Sequence, residues 1–133
     1  MGALKQIRQV AFGSIRGEFL IGENASAVHL NPAESTLFRL FLAHPEGIAS
    51  ENLLWHWKEL FSLYAHESVF DDSRRQEDAL ESLCSESKIV FYANISRIKR
   101  KFVKALGARQ AAGYYIKRYA DGRYRTRALL VTP

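Results

Sequence analysis

Residues 89–106 read IVFYANISRIKRKFVKAL, and two patterns run through them at once. Phe91, Ile95, Ile98, Phe102 and Leu106 step by 4, 3, 4 and 4 residues, the spacing of one apolar helix face. At about 100° per residue, Asn94, Arg97, Arg100, Lys101 and Lys104 share a continuous polar arc turned away from that stripe. Lys99 lies on the other flank, and Gly107 ends the pattern. The stretch predicts a long helix with one face for a core and one cationic face for a partner.

Toward the C-terminus the period changes from helical to alternating. Residues 114–131, YYIKRYADGRYRTRALLV, form two β-rich runs around Asp121–Gly122, a strong two-residue hairpin signal. That turn sets Tyr119 opposite Tyr124, Arg118 opposite Arg125, Ile116 opposite Arg127 and Ala120 opposite Arg123. Alternation then places Arg118, Arg123, Arg125 and Arg127 on one side and Tyr115, Tyr119 and Tyr124 on the other, with Ile116 joining the basic side and Lys117 the aromatic one. Of the tyrosines at 114, 115, 119 and 124, at least three are expected to wedge a sheet against helices; stacking on bases is their alternative use.

Toward the N-terminus, residues 17–30 look like two short strands around Gly22–Glu23–Asn24, and residues 5–13 offer a weaker third. Asn31–Pro32–Ala33–Glu34 is a dense helix start, with a capping Asn, a first-turn Pro and a Glu that reaches back to the cap. Leu37, Leu40, Phe41 and His44 follow at helical spacing up to Pro45–Glu46–Gly47. Ser50 is a candidate N-cap for a second helix whose apolar face is Leu53, Trp57, Leu60, Phe61 and Tyr64. Trp55 and Trp57 cannot share that face; Trp57 belongs to the core, and Trp55 is partly exposed or covered. Residues 65–87 read as an acidic insertion, where Glu67, Asp71, Asp72, Glu77, Asp78, Glu81 and Glu86 outnumber Arg74 and Arg75. Ser73 with Gln76 resembles a capping box, and Ala79, Leu80, Leu83 and Cys84 would dock a short helix.

The charge follows this division. Residues 1–87 hold 7 Lys/Arg against 13 Asp/Glu, whereas residues 88–127 hold 12 against Asp121 alone, so the net +5 hides a basic block suited to a polyanion. With 133 residues and 47% hydrophobic content, the chain fits a single domain over 1–133. It has no run of 18 apolar residues, so no membrane partner is expected, and MGALKQIRQVAFG lacks the apolar stretch of a secretory signal. The lone Cys84 fits a packing role in a reducing cytoplasm. His29, His44, His56 and His66 show no His-x-x-x-His grouping, which argues against zinc, and Asp71–Asp72 read as a turn. Without a Gly-rich phosphate loop or a nucleophile elbow, neither an enzyme nor a cofactor is expected.

Three motifs resemble the winged-helix output domain of OmpR-type response regulators. LNPAESTLFRLFLAHPEGIASENLLWHW, Leu30 to Trp57, is similar to that family's Leu-Thr-x-x-Glu opening helix, Gly turn and following Leu/Trp helix. NISRIKRKF, Asn94 to Phe102, is similar to its recognition core His-Ile-Ser-Arg-Leu-Arg-x-Lys-Leu, and IKRYADGRYR, Ile116 to Arg125, resembles its terminal wing. The chain departs from the pattern in the position of Gly122, in Tyr92 where an acid is common, and in the longer connection at 65–87. It is also too short to include a receiver domain.

The resemblance implies an α+β winged helix-turn-helix with three main helices, N-terminal strands, a C-terminal hairpin wing and an extra short helix before the recognition helix. It implies that Asn94, Arg97 and Lys101 face DNA and that Arg123 and Arg125 lie in the wing. The expectation is a cytoplasmic, bacterial transcription regulator that binds double-stranded DNA, with 89–106 in the major groove and 114–128 on phosphates or the minor groove. The DNA-facing set is then Asn94, Arg97, Arg100, Lys101, Lys104, Arg118, Arg123, Arg125 and Arg127. RNA polymerase or another regulator is a candidate partner through 65–87, and a homodimer is left open. The alternatives are a protein-interaction adaptor and an RNA or single-strand binder.

Overall fold

Asn31 starts the first helix as its neighbours require. In the computed structural model, which describes residues 8–67 and 73–131, its Oδ1 accepts the Glu34 amide at 2.9 Å, and its own amide donates to Glu34 Oε1 at 3.0 Å. The full order is β1 (Gln9–Phe12), β2 (Glu18–Ile21), β3 (Ser26–His29), α1 (Pro32–Ala43), β4 (Ile48–Ala49), a 3₁₀ segment (Ser50–His56) and α2 (Trp57–Glu67). Then follow α3 (Ser73–Leu83), α4 (Ile89–Leu106), α5 (Ala108–Ala111), β5 (Lys117–Arg118), β6 (Arg123–Arg125) and β7 (Leu129–Leu130). The architecture is α+β, with five α-helices and two small sheets among the described residues. Asp71–Asp72 fall outside those residues, as do the side chain of Ser73 and the first part of the 5–13 strand expectation.

The first sheet has the order β3-β2-β1-β7, antiparallel except for β7, which pairs parallel with β1. Its inner face carries Val10, Phe19, Ile21 and Val28, each at most 3% exposed. Phe19 meets Phe38 of α1 edge-on at 5.1 Å, and Phe38 meets Phe102 of α4 edge-on at 5.1 Å. This chain of rings ties sheet, first helix and long helix into one core, and each such pair adds about 0.5–1.5 kcal/mol beyond its burial. Leu80, Leu83 and Cys84 bring α3 into the same cluster, so the inserted helix docks as its apolar spacing requires. Burial pushes the Cys84 thiol above its ordinary pKa, in keeping with a packing role.

Several expectations need correction. Ser50 does not cap an α-helix: the segment it opens is 3₁₀, preceded by Ala49 with no side-chain cap, and α-helical bonding begins only at Trp57. Leu53 and Leu60 are fully buried, Trp57 is half-buried against the core, and Trp55 is 80% exposed. The hairpin is also one residue out of the expected register. Gly122 donates to the Tyr119 carbonyl and Tyr119 donates to the Arg123 carbonyl, both at 2.9 Å, so the loop is the three residues Ala120–Asp121–Gly122. Only Gly122 has a positive φ there, at +85°, whereas a two-residue Asp-Gly turn needs positive φ at both positions. Asp121 Oδ1 instead accepts the Arg123 amide at 3.0 Å and fastens the wider turn.

The slip reassigns the faces. The pairs are Lys117 with Arg125 and Arg118 with Tyr124, so Lys117, Tyr119, Arg123 and Arg125 share one side. Arg118 is placed with Tyr124 on the other side, against the expected four-arginine face, and Ile116 is buried rather than part of the basic side.

The second sheet, β4-β6-β5, seats this hairpin on the turn after α1 through Ile48–Tyr124 and Ala49–Arg123. Gly47 makes the close approach possible. Its φ is +92°, and a Cβ there would lie 2.9 Å from the Tyr124 carbonyl oxygen and 3.1 Å from the Arg123 Cβ. Gly47→Ala is therefore expected to destabilise the fold by about 1–3 kcal/mol in urea denaturation; a variant as stable as the wild type would show that this seat is not under constraint.

Candidate nucleic-acid interface

The long helix α4 presents its polar arc unevenly. Phe91, Asn94, Ile98 and Phe102 are at most 1% exposed, while Ile95 and Leu106 are only half-buried. The buried stripe is thus rotated toward Asn94, which stands about 60° around the helix from Arg97. Asn94 is a correction to the expected DNA-facing set. It is buried, and its Nδ2 donates to the Val90 carbonyl at 2.9 Å. An i−4 bond of this kind engages the amide nitrogen within its own helix and withdraws it from the outer surface, while Oδ1 is buried without a hydrogen-bond partner.

Arg97 and Lys101, one turn apart, converge on Glu34 of α1. Arg97 Nε lies 3.2 Å from Glu34 Oε2 and Lys101 Nζ lies 2.5 Å from Glu34 Oε1, with Glu34 itself fully buried. The two cations nevertheless keep 43% and 39% of their side-chain surface exposed. The carboxylate therefore orients them at the rim of the core while their outer atoms still meet solvent. Arg100 and Lys104 are exposed and make no ion pair among the described residues. Of the four outward cations, two are held and two are free.

On the hairpin, Arg123 and Arg127 are exposed, and Arg125 is held more closely. Arg125 Nη2 donates to Asp121 Oδ2 at 2.5 Å and to the Glu46 carbonyl at 3.1 Å, bracing the hairpin against the turn after α1. Tyr124 wedges the hairpin against α4 through Phe91, ring to ring at 5.2 Å. Tyr114, Tyr115 and Tyr124 pack against the core, three of the four tyrosines, as expected.

Helix and hairpin are joined by cations placed over rings. Lys99 lies 5.4 Å from the Tyr115 ring centre, and Lys117 lies 5.8 Å from both Tyr115 and Tyr119. Arg125 at 4.8 Å and Arg127 at 5.8 Å also face Tyr119. Each such contact contributes about 0.5–1 kcal/mol at an exposed site. Lys99 sits off the helix's polar arc, and Lys117 shares its hairpin side with Arg123 and Arg125, which a two-residue turn does not predict. Only the correct loop length would have found Lys117. The outcome is a cationic strip from the flank of α4 across Tyr115 to the outer side of the hairpin. Arg118 is exposed but lies on the opposite hairpin side.

On the inserted helix, Glu77, Asp78 and Glu81 are exposed. Among the described residues they make no ion pair with α4 or the hairpin. No described helix is long and apolar enough to cross a membrane. No protein family, curated protein or solved structure gave a significant match to this chain.

Two measurements probe this arrangement. Because its partners are well exposed, the buried Glu34 is worth less than a fully buried pair. Glu34→Gln is expected to destabilise by about 1–3 kcal/mol, and Arg100→Gln on the same helix to stay within about 0.5 kcal/mol; equal effects would remove the distinction between held and free cations. The Asp121 carboxyl is held below its ordinary pKa of 3.8 by the Arg123 amide and then by the Arg125 guanidinium. A depressed folded value means that this support for the loop is present above pH 3.8 and is lost as pH falls through the lower folded value. In an NMR titration the Arg123 amide is expected to shift with a midpoint below 3.8, and a midpoint at the ordinary value would show that the carboxylate does not hold the turn.

Proposed function

We propose that the chain is a winged-helix domain that binds double-stranded DNA in a sequence-dependent way and regulates transcription. The observation that carries this reading is the exposure of cations on two adjacent elements of different shape, joined by Lys99 and Lys117 over the Tyr115 ring. An α-helix fits the major groove of B-DNA, where Arg reads guanine with paired hydrogen bonds. A narrow basic hairpin beside it fits phosphates or a minor groove. The order of elements supports the same reading, with α1, α2 and the short inserted α3 before the cationic helix and a hairpin after it that pairs back onto the strand between α1 and α2.

In this reading the labour on α4 divides. Arg100 and Lys104 are free to reach the duplex, whereas Arg97 and Lys101 are pre-oriented by Glu34 and lose less side-chain freedom on binding. With Asn94 in the core, base reading falls to the arginines and favours guanine-containing sites. On the hairpin, Lys117, Arg123 and Arg127 supply the backbone-directed contacts that set register without reading sequence. The outward acids of α3 are repelled by the duplex and so remain available to a second protein, such as RNA polymerase or another regulator.

If about six phosphates are engaged, the logarithm of affinity should fall with the logarithm of salt with a slope of about −5. Arg100→Glu should abolish preference among duplexes selected from random DNA and leave the melting temperature nearly unchanged. Lys104→Glu should weaken all duplexes alike and reduce the salt slope by about 1. Arg97→Glu is a poorer probe, because it sets a second carboxylate against buried Glu34. A folded protein that binds no duplex at low salt would overturn the reading, and preferential capture of single-stranded RNA in competition would replace it with the single-strand alternative.

A further inference from the structure

Behind the hairpin seat lies a cluster with no counterpart in the linear sequence. His44 ends α1, His56 ends the 3₁₀ segment, and Glu59 lies in the first turn of α2. One donor atom from each falls within 4.8 Å of the others. Glu59 Oε1 is 2.8 Å from His44 Nε2 and 3.5 Å from His56 Nδ1, and the imidazole centres are 4.6 Å apart. The remaining nitrogen of His44, Nδ1, is 3.0 Å from Glu46 Oε2.

We propose that His44 Nε2, His56 Nδ1 and a Glu59 carboxylate oxygen form a binding site for a divalent transition metal, zinc being the best match to the donor set. Two imidazoles and one carboxylate are the ligands a borderline-soft cation selects over magnesium or calcium. Around a tetrahedral ion with bonds of about 2.0–2.1 Å, neighbouring donors stand about 3.3 Å apart. The His56–Glu59 separation already matches, and the His44–Glu59 pair needs to open by about half an ångström. Both imidazoles are about one-quarter exposed, so a solvent molecule can take the fourth position.

Glu46 supplies what isolated ligand triplets lack. A carboxylate on the far nitrogen of a ligating histidine fixes its tautomer and ring orientation, and Glu46 already occupies that place. Its backbone carbonyl also receives Arg125 Nη2 at 3.1 Å, so the residue that orients His44 is the one against which the hairpin is braced. A bound ion would hold the C-terminus of α1, the 3₁₀ segment and α2 to one another directly beside that brace. The three ligands belong to none of the elements that form the cationic strip, and the site does not depend on nucleic-acid binding.

The test is titration of the untagged full chain with ZnCl₂ by calorimetry, alongside X-ray absorption at the zinc edge. One equivalent should bind and raise the melting temperature, with a shell of two imidazoles and oxygen only, since Cys84 is buried elsewhere in the fold. His56→Gln should abolish that binding, and Glu46→Gln should weaken it about 10–100-fold. No heat and no thermal shift with zinc, unchanged binding in a folded His56→Gln variant, or sulfur in the shell would each overturn the site. Should His56→Gln not fold, the absorption spectrum of the wild-type protein decides alone, because a shell without imidazole also overturns it.

Discussion

Glu34 is the constraint on which the arrangement of helices depends. A carboxylate with no solvent exposure would be very costly if left alone, and this one is satisfied from two directions. It closes the capping box that begins α1, and it receives Arg97 and Lys101 from a helix more than 60 residues later. Local and distant structure therefore depend on the same two oxygens. Once the cap forms, the carboxylate is fixed in direction, and α4 can satisfy it only by presenting the side on which Arg97 and Lys101 lie one turn apart. The ring chain through Phe19, Phe38 and Phe102 links these elements through apolar contact, but rings tolerate rotation. The ion triad selects among those rotations.

This selection explains why α4 buries an asparagine. A stripe of Phe91, Ile95, Ile98, Phe102 and Leu106 alone would centre the buried face nearer Ile95. Satisfying Glu34 turns the helix so that Asn94 enters the core and Ile95 moves toward its edge. The cost of a buried amide is reduced by its bond to Val90, which needs no partner from another element. Charged positions on a helix can thus override apolar periodicity by a fraction of a turn, enough to change which side chains are available to a partner.

The parts legible in the sequence were those whose chemistry is local. The Asn31–Glu34 box, Pro32, the strands on either side of Gly22 and the apolar face of α3 each depend on neighbours within a few residues. The parts that were not legible depend on distance or on a small energetic choice. Asp121–Gly122 suits a two-residue turn and the last two places of a three-residue loop almost equally, and the hydrogen bond from Arg123 to Asp121 settles it; one residue then exchanges Arg118 for Lys117. Strand β7 is recruited by β1 from the far end of the chain, and its residues carry no alternation to announce it. His44 and His56 are separated by a turn, a strand and a 3₁₀ segment, so no linear spacing reports that their rings meet. Asn94 is not legible as a core residue, because a polar residue next to a polar arc belongs to that arc unless something distant turns the helix.

The uneven charge along the chain becomes informative once its pairs are known. The first half has excess acid, but its best-buried acids point inward: Glu34 takes two α4 cations, and Glu67 takes Arg39. Glu46 and Glu59 face His44, whose imidazolium is disfavoured by burial yet held above its ordinary pKa by those two carboxylates. Exposed acids remain on the outside of that half, Glu77, Asp78 and Glu81 on α3 and Glu23, Glu51 and Glu86 elsewhere. In the second half only Asp121 is acidic, and it is engaged by Arg125. Folding therefore neutralises little of the basic block: one carboxylate from the acidic half and one from its own loop. Linear segregation of charge survives as spatial segregation, because the long helix and the hairpin are adjacent both in the chain and in space. A surface of that kind repels itself unless an anion lies across it, and the rigid supports beneath it, Glu34 under the helix and Gly47 under the hairpin, keep it assembled in the meantime.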